Sequence, residues 1–267
     1  MGLGVLSFLA MLVSVVVVVL AILNLDGDVM NFLNLPSFLV VIVPTIMSSV
    51  TTAPISLLAK VPAHFRVITR KEELAETQIE KIVELANKVR SGGILALEEE
   101  EIPEATMAYG VRMIVDGVQE DEIKNALAES MESIETRHFE AIALYEKAAS
   151  FAPAFGMVGT VVSLVNMLLR LDFEDPAAAT ALGANMSTAL ITTLYGALMA
   201  NILLLPIAAR LRILHRREMF NKSLICTGLM AIQHGNSPTF IYELLCEQLN
   251  AEKRKNVSNS KGGKGGE

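Results

Sequence analysis

Residues 151–169 read FAPAFGMVGTVVSLVNMLL, apolar enough and close to the ~20 residues long needed to cross a bilayer. A plain lipid anchor has no need of Pro153, Gly156, Gly159, Thr160, Ser163 and Asn166, all of which fall in this stretch. At about 100° per residue, Gly156, Thr160 and Ser163 share roughly one 60° sector of a helix, with Pro153 and Asn166 at its margins. One side of the helix is therefore small and polar. In hydrocarbon such a face needs another helix or a watery path, because hydroxyls and amides turned to lipid lack partners. The stretch reads as one wall of a pore.

The rest of the chain agrees with a membrane class. Of its 267 residues 52% are hydrophobic, the mean hydropathy is +0.46 and there is no Trp. The apolar residues come in blocks of about 20. A net charge of −7 argues against nucleic acid, whose phosphates demand a cationic surface. Cys226 and Cys246 stand 20 residues apart with no CxxC or Cys/His cluster, which predicts two reduced, packed thiols.

In chain order, Gly2 to Leu25 is the expected first span. It carries no charge, and the absence of Lys or Arg near Met1 predicts a retained helix instead of a cleaved signal. A turn made acidic by Asp26 and Asp28 follows. The second span is expected from about Leu35 to Leu58, with kinks at Pro36, Pro44 and Pro54. From Lys60 to about Lys147 charge is dense and no apolar run can cross a membrane. There, Leu74 to Arg90 has helical periodicity and stops at Ser91-Gly92-Gly93. Pro103 suits the first turn of a helix ending near Gly117. A long helix is expected to begin near Gln119 and run unbroken into the span at 151–169.

The fourth span, about Leu182 to Ala209, has its own polar side: Asn185, Thr188, Thr192 and Gly196, with Thr193 beside them. Arg210, Arg212, Arg216 and Arg217 follow. Residues 218–252 read as one or two helices broken at His234–Pro238, and 253–267 as a glycine-rich disordered tail. The fold class is all-α membrane protein: four transmembrane helices, a helical cytoplasmic domain between the second and third, and C-terminal cytoplasmic helices. The segments are 1–59, 60–147, 148–210, 211–252 and 253–267. Lys and Arg crowd the flanks of the second and fourth spans, while the loops at 24–34 and 170–181 hold only Arg170. By the positive-inside rule both termini face the cytoplasm.

Neither polar span contains Asp, Glu, Lys or His in its membrane core. A proton relay through a membrane depends on an ionisable side chain, so a carboxylate supplied by a second polypeptide is expected. What this chain offers is oxygen. Thr160, Thr192 and Thr193, with the carbonyl of Ala149 freed by Pro153, are hard ligands suited to an alkali cation. The alternative is that these residues serve close helix packing alone. No nucleophile–base pair, phosphate loop or metal-ligand spacing points to an enzyme, and His64, His138, His215 and His234 are scattered.

Three segments, RSGGILALEEEEI, APAFGMVGTVVSLVNML and STALITTLYGALMANILLLPIA, resemble the MotA/PomA family of flagellar motor stator subunits, within the wider group that includes TolQ and ExbB. The resemblance covers residues 1 to about 250. It implies a homopentamer in the bacterial inner membrane surrounding the helices of a MotB/PomB dimer whose aspartate carries the ion. It also implies torque on the rotor through the switch protein FliG, and no cofactor besides the transported Na+ or H+. Arg90 and Glu98 match the charged pair of the rotor-facing contact, and Pro153 and Pro206 the two coupling prolines. Thr160 in G-T-V-V resembles sodium-type members, many proton-type members having Ala there. Ser163, Asn166 and Asn185 depart from the family pattern. The competing reading is a TolQ/ExbB-type transducer powering an envelope or transport process, in which the R-x-G-G-x-L-A-L-E-E segment is not expected.

Overall fold

A single helix of 50 residues, α7 at Glu120–Leu169, leads from a charged segment into the apolar stretch without a break. The computed structural model describes residues 3–24, 29–69, 74–169 and 176–249. Every regular element among them is helical. Ahead of α7 lie α1 (Leu3–Asn24), a 3-10 turn (Val29–Phe32), α2 (Leu35–Thr52), the one-turn α3 (Ile55–Leu58), α4 (Val61–Thr69), α5 (Ala75–Gly92), a second 3-10 turn (Ile94–Leu97) and α6 (Ala105–Val115). Behind it come α8 (Pro176–Leu198), a π segment (Met199–Leu204), α9 (Leu205–Gln233) and α10 (Pro238–Glu247). Three helical runs among the described residues are long and apolar enough to cross a membrane: Leu35–Thr52, Glu120–Leu169 and Leu182–Gln233. The expected first span forms the 22-residue α1.

Several expected boundaries move. The second span stops at Thr52 instead of Leu58, because Pro54 forces the residue before it out of the helical region and Ala53 is extended at φ −136°, ψ 145°. Pro44 stays inside α2 without ending it, and Pro36 sits in the first turn, where no N–H is missed. Pro103 lies outside α6, whose N-cap is Glu104. The helix expected from Leu182 begins at Pro176 and does not end at Ala209, since α8, the π segment and α9 follow one another directly. Pro206 explains the π segment. Lacking an N–H, it cannot close an α-type bond, and the preceding Leu205 N–H reaches back five residues to Ala200 O, the wide turn of a π-bulge. The Arg170, Asp26, Asp28 and 253–267 readings lie outside the described residues.

Two compact units emerge, divided differently from the five segments read in the sequence. The first takes the described residues within Met1–Lys71 and His138–Ile213, the second those within Glu72–Arg137 and Leu214–Glu267. The middle segment and the C-terminal helices, separate in the sequence reading, thus share one core.

In the first unit α7 and α8 approach until only glycine fits between them. A Cβ on Gly196 would lie 2.5 Å from Ala152 O and 3.1 Å from Pro153 Cα, and one on Gly159 would lie 2.3 Å from Thr192 Cγ2. Small residues are what allow membrane helices this proximity. Ile142, Tyr145, Ala148, Ala152, Leu204 and Ile207 belong to one buried cluster at the 138–152 end of this pairing.

The second unit is an ordinary hydrophobic core. Ile79, Ile82 and Leu85 of α5, Ile123 and Leu127 of α7, Leu224 and Leu229 of α9, and Ile241 and Leu245 of α10 are all fully buried in it. The helix ends are set by local chemistry. Gly93 takes φ +77°, a value open to glycine and strained for other residues, and its N–H bonds Val89 O at 2.8 Å. Glu104 caps α6 by accepting from Met107 N–H, and its other oxygen lies 3.2 Å from the buried Lys222 Nζ. Lys222 also donates to Thr106 Oγ1 at 2.7 Å.

Candidate functional site

The hydroxyl of Thr160, one helical turn beyond Gly156 on α7, faces α8. Its Oγ1 is 3.1 Å from Gly156 O and 3.0 Å from Ala189 O, and it hydrogen-bonds Thr193 Oγ1. Two hydroxyl protons, one on Thr160 and one on Thr193, serve four oxygens, because the Gly156 and Ala189 carbonyls only accept. The cluster is therefore richer in lone pairs than in protons, the electronic character that a hard cation seeks in its ligands. Thr160 is half-buried and Thr193 exposed, so the cluster borders an open side of the helix pair.

Of the threonines singled out in the sequence, the structure brings Thr160 and Thr193 together and turns Thr192 away. Thr192 is only 1% exposed. Its Oγ1 lies 2.9 Å from Ser37 Oγ on α2 and 2.7 Å from Thr188 O. Ala149 is 5% exposed and belongs to the buried cluster with Ala148 and Ala152, away from the Thr160–Thr193 pair in sequence by three helical turns. Pro153 is half-buried within α7 with Gly196 against it, and Pro206 directly follows the π segment.

Three participants escaped the sequence reading: Asn34, Ser37 and Tyr195. Asn34 Oδ1 accepts from Ser37 N–H at 3.0 Å as the N-cap of α2, while its Nδ2 lies 3.3 Å from Thr188 Oγ1. Tyr195 OH donates to Phe32 O and accepts from Asn34 N–H at 3.2 Å. The signal was available in Asn34-Leu35-Pro36-Ser37, a capping Asn ahead of a first-turn proline.

In the second unit, Arg90 lies in the last turn of α5 and Glu98 directly follows the second 3-10 turn, with Gly92-Gly93 between them; both side chains are exposed. Arg90 also borders a cavity of about 400 Å³ with Val89, Ile232, Asn236 and Ser237. The run Glu98–Glu101 is not uniform. Glu100 accepts hydrogen bonds from Lys88 and, at 3.0 Å, from Lys81, while Glu98, Glu99 and Glu101 face solvent.

The Lys88 and Lys81 ammonium groups hold the Glu100 carboxyl below the ordinary carboxylate range, chiefly by hydrogen bonding. A carboxyl depressed in the folded state stabilises the fold above its unfolded pKa, about 4.3, and that contribution disappears as pH falls through the lower folded value. Thermal midpoints of the detergent-solubilised chain should therefore show a constant gap between wild type and Glu100→Gln near neutrality. The gap should close as pH drops below about 4.3; a gap that persists into strong acid would count against this ion cluster.

Among the described residues no group of three or more His, Cys, Asp or Glu is placed to hold a metal ion. His234 Nε2 lies 2.8 Å from Glu120, His64 Nδ1 lies 3.2 Å from Tyr145 OH, and the buried His215 lies 4.0 Å from Glu135. Neither cysteine is in a disulfide, both are partly buried against the second unit's core, and Cys226 Sγ lies 3.6 Å from Met131 Sδ.

The apolar 151–169 part of α7 and the facing α8, free of acidic and basic side chains over their described contact and joined through hydroxyl and carbonyl oxygens, define the class: a helical protein with helices long and apolar enough to cross a membrane. The chain belongs to the MotA/TolQ/ExbB proton channel family, whose sequence profile matches residues 98–224. It is 34% identical to Motility protein A of Treponema phagedenis over 239 residues, spanning 87% of this chain and 89% of that one. It is 41% identical to Chemotaxis protein PomA of Vibrio alginolyticus over 184 residues, 69% of this chain and 71% of that one. The flagellar MotAB stator complex from Bacillus subtilis superposes with a TM-score of 0.82 at 28% identity, over 94% of this chain and 97% of that chain. Campylobacter jejuni MotAB shares the fold at a TM-score of 0.84 and 22% identity, over 92% and 95%.

Proposed function

We propose that this chain is the A-type subunit of a flagellar stator, a four-span protein of the bacterial inner membrane with both termini cytoplasmic. Copies of it, five by family resemblance, enclose the membrane helices of a MotB/PomB-like partner, and ion flow through the complex turns the rotor. The observation that carries the ion-conducting part is the Thr160–Thr193–Ala189 oxygen cluster on spans that lack a carboxylate. An oxygen-rich wall without an acid cannot relay protons alone, but it can strip water from a cation that a partner's aspartate balances. The relatives' MotAB assemblies and the Lys/Arg bias of the segments flanking the second and fourth spans support the same reading.

The transported ion in this proposal is sodium. Two threonine hydroxyls and a carbonyl are ligands for a dehydrated alkali cation, and a proton has no use for them. Thr160→Ala should leave the amount of assembled complex unchanged and raise the sodium concentration for half-maximal swimming speed severalfold, as loss of one hydrogen-bonding oxygen is worth about 1 kcal/mol. Swimming that persists without sodium and stops on adding a protonophore would overturn the ion assignment.

Torque in this proposal passes through exposed charges of the second unit, Arg90 and Glu98, against FliG. Exposed, screened pairs of under about 1 kcal/mol each suit a contact that must form and release repeatedly. Arg90→Glu should abolish most swimming while leaving the chain at normal levels in the membrane. Normal swimming would remove Arg90 from the rotor contact.

A further inference from the structure

We infer that Thr192 and Ser37 are positioning residues for the ion site: their buried hydroxyl contact sets the rotation of α8 that presents Thr193 to Thr160. The inference rests on the sodium-site reading of Thr160 and Thr193 and assigns a role to two residues outside that site. Thr192 and Thr193 are consecutive, so their side chains leave α8 about 100° apart. Fixing one fixes the other.

The structure wedges Thr192 on two sides. Its Cγ2 occupies the space that a Cβ at Gly159 would take, at 2.3 Å. Its Oγ1 is 2.9 Å from Ser37 Oγ, which itself lies 3.2 Å from Thr188 O. Ser37 is 1% exposed and is held in turn by the Asn34 cap at 3.0 Å. Thr192 thus has a methyl turned to α7 and a hydroxyl turned to α2. Packing alone explains the methyl. It does not explain a hydroxyl–hydroxyl contact in an apolar bundle, since Thr192 Oγ1 already has Thr188 O at 2.7 Å, the back-bond that satisfies helical threonines without help. The second contact adds direction: it joins α8 to α2 at one angular position.

The test compares Thr192→Val, Thr192→Ser, Ser37→Ala and Thr193→Ala in cells carrying the full chain with its partner, measuring swimming speed against sodium concentration and the amount of assembled complex. Thr192→Val keeps the methyl that fills the Gly159 gap and replaces the hydroxyl by a methyl of similar size. It should raise the half-saturating sodium concentration about three- to tenfold, Ser37→Ala should do the same, and Thr192→Ser should stay near wild type. A purely structural role predicts the reverse order: Thr192→Ser lowers the amount of complex by opening a cavity, and sodium dependence is unmoved in Thr192→Val. If Thr193→Ala shifts sodium dependence while Thr192→Val and Ser37→Ala do not, the positioning role is wrong and the site stands. If Thr193→Ala leaves sodium dependence flat, the site reading fails and the positioning role fails with it. Should Thr192→Val not assemble, Ser37→Ala decides the question by the same shift.

Discussion

Gly196→Val is expected to eliminate the assembled protein. A Cβ at this position would stand 2.5 Å from Ala152 O and 3.1 Å from Pro153 Cα, and both neighbours are backbone, so no side chain can swing aside. The helices must separate by about an ångström to reach ordinary contact, which undoes the Gly156 and Gly159 contacts along the same seam. Overpacking of a well-packed contact costs typically 1–3 kcal/mol, and more where backbone must move; about 3 kcal/mol is expected for valine. The thermal midpoint of the detergent-solubilised chain and its yield from membranes report the loss. Gly183→Ala is the control, because nothing lies within 4 Å of its missing Cβ and alanine favours the helix. Equal behaviour of the two variants would mean that the α7–α8 seam does not set stability.

The second large effect is expected from Ile82→Ala in the other unit. Ile82 is 0% exposed, and the residue against it is Gly228, whose added Cβ would lie 2.5 Å from Ile82 Cγ2. Shortening the side chain leaves a void that glycine cannot fill, so a loss of about 3–4 kcal/mol is expected. The geometry also predicts a reversal of sign. Gly228→Ala should destabilise the wild type, in which the new methyl meets Ile82, and stabilise Ile82→Ala, in which the space is vacant. That double-mutant coupling, read from thermal midpoints, separates direct contact from general weakening of the core. Additive effects would contradict the pairing of α5 with α9 through these two residues.

Much of this architecture is legible in the chain because local chemistry determines it. The unbroken α7, the glycine stop at Gly93 and the break at 234–238 each depend on propensities within a few residues, and the structure has all three. The glycines of 151–169 announce close approach for the same reason. Other features depend on partners distant in sequence. A helical wheel places Thr192 and Thr193 on adjacent sectors, but it does not say that α2 receives the hydroxyl of one and α7 that of the other. The charged run Glu98–Glu101 reads as uniform until Lys81 and Lys88 select Glu100. The joining of α5 and α6 with α9 and α10 into one core is equally non-local, since more than a hundred residues intervene between Ile82 and its neighbour Gly228. Pro206 signals a disturbance in the last apolar helix, yet a proline can kink, end or bulge a helix; here it leaves a π segment and the helix goes on.

On the proposed function, these helices supply oxygen ligands and leave the titrating acid to a partner. Sodium and proton uptake into vesicles holding the purified chain, with and without its MotB/PomB-like partner, reads out that division. Uptake should be absent for the chain alone, appear with the partner, and vanish when the partner's membrane aspartate is replaced by asparagine. Cation uptake by the chain alone at the rate of the complex would contradict it.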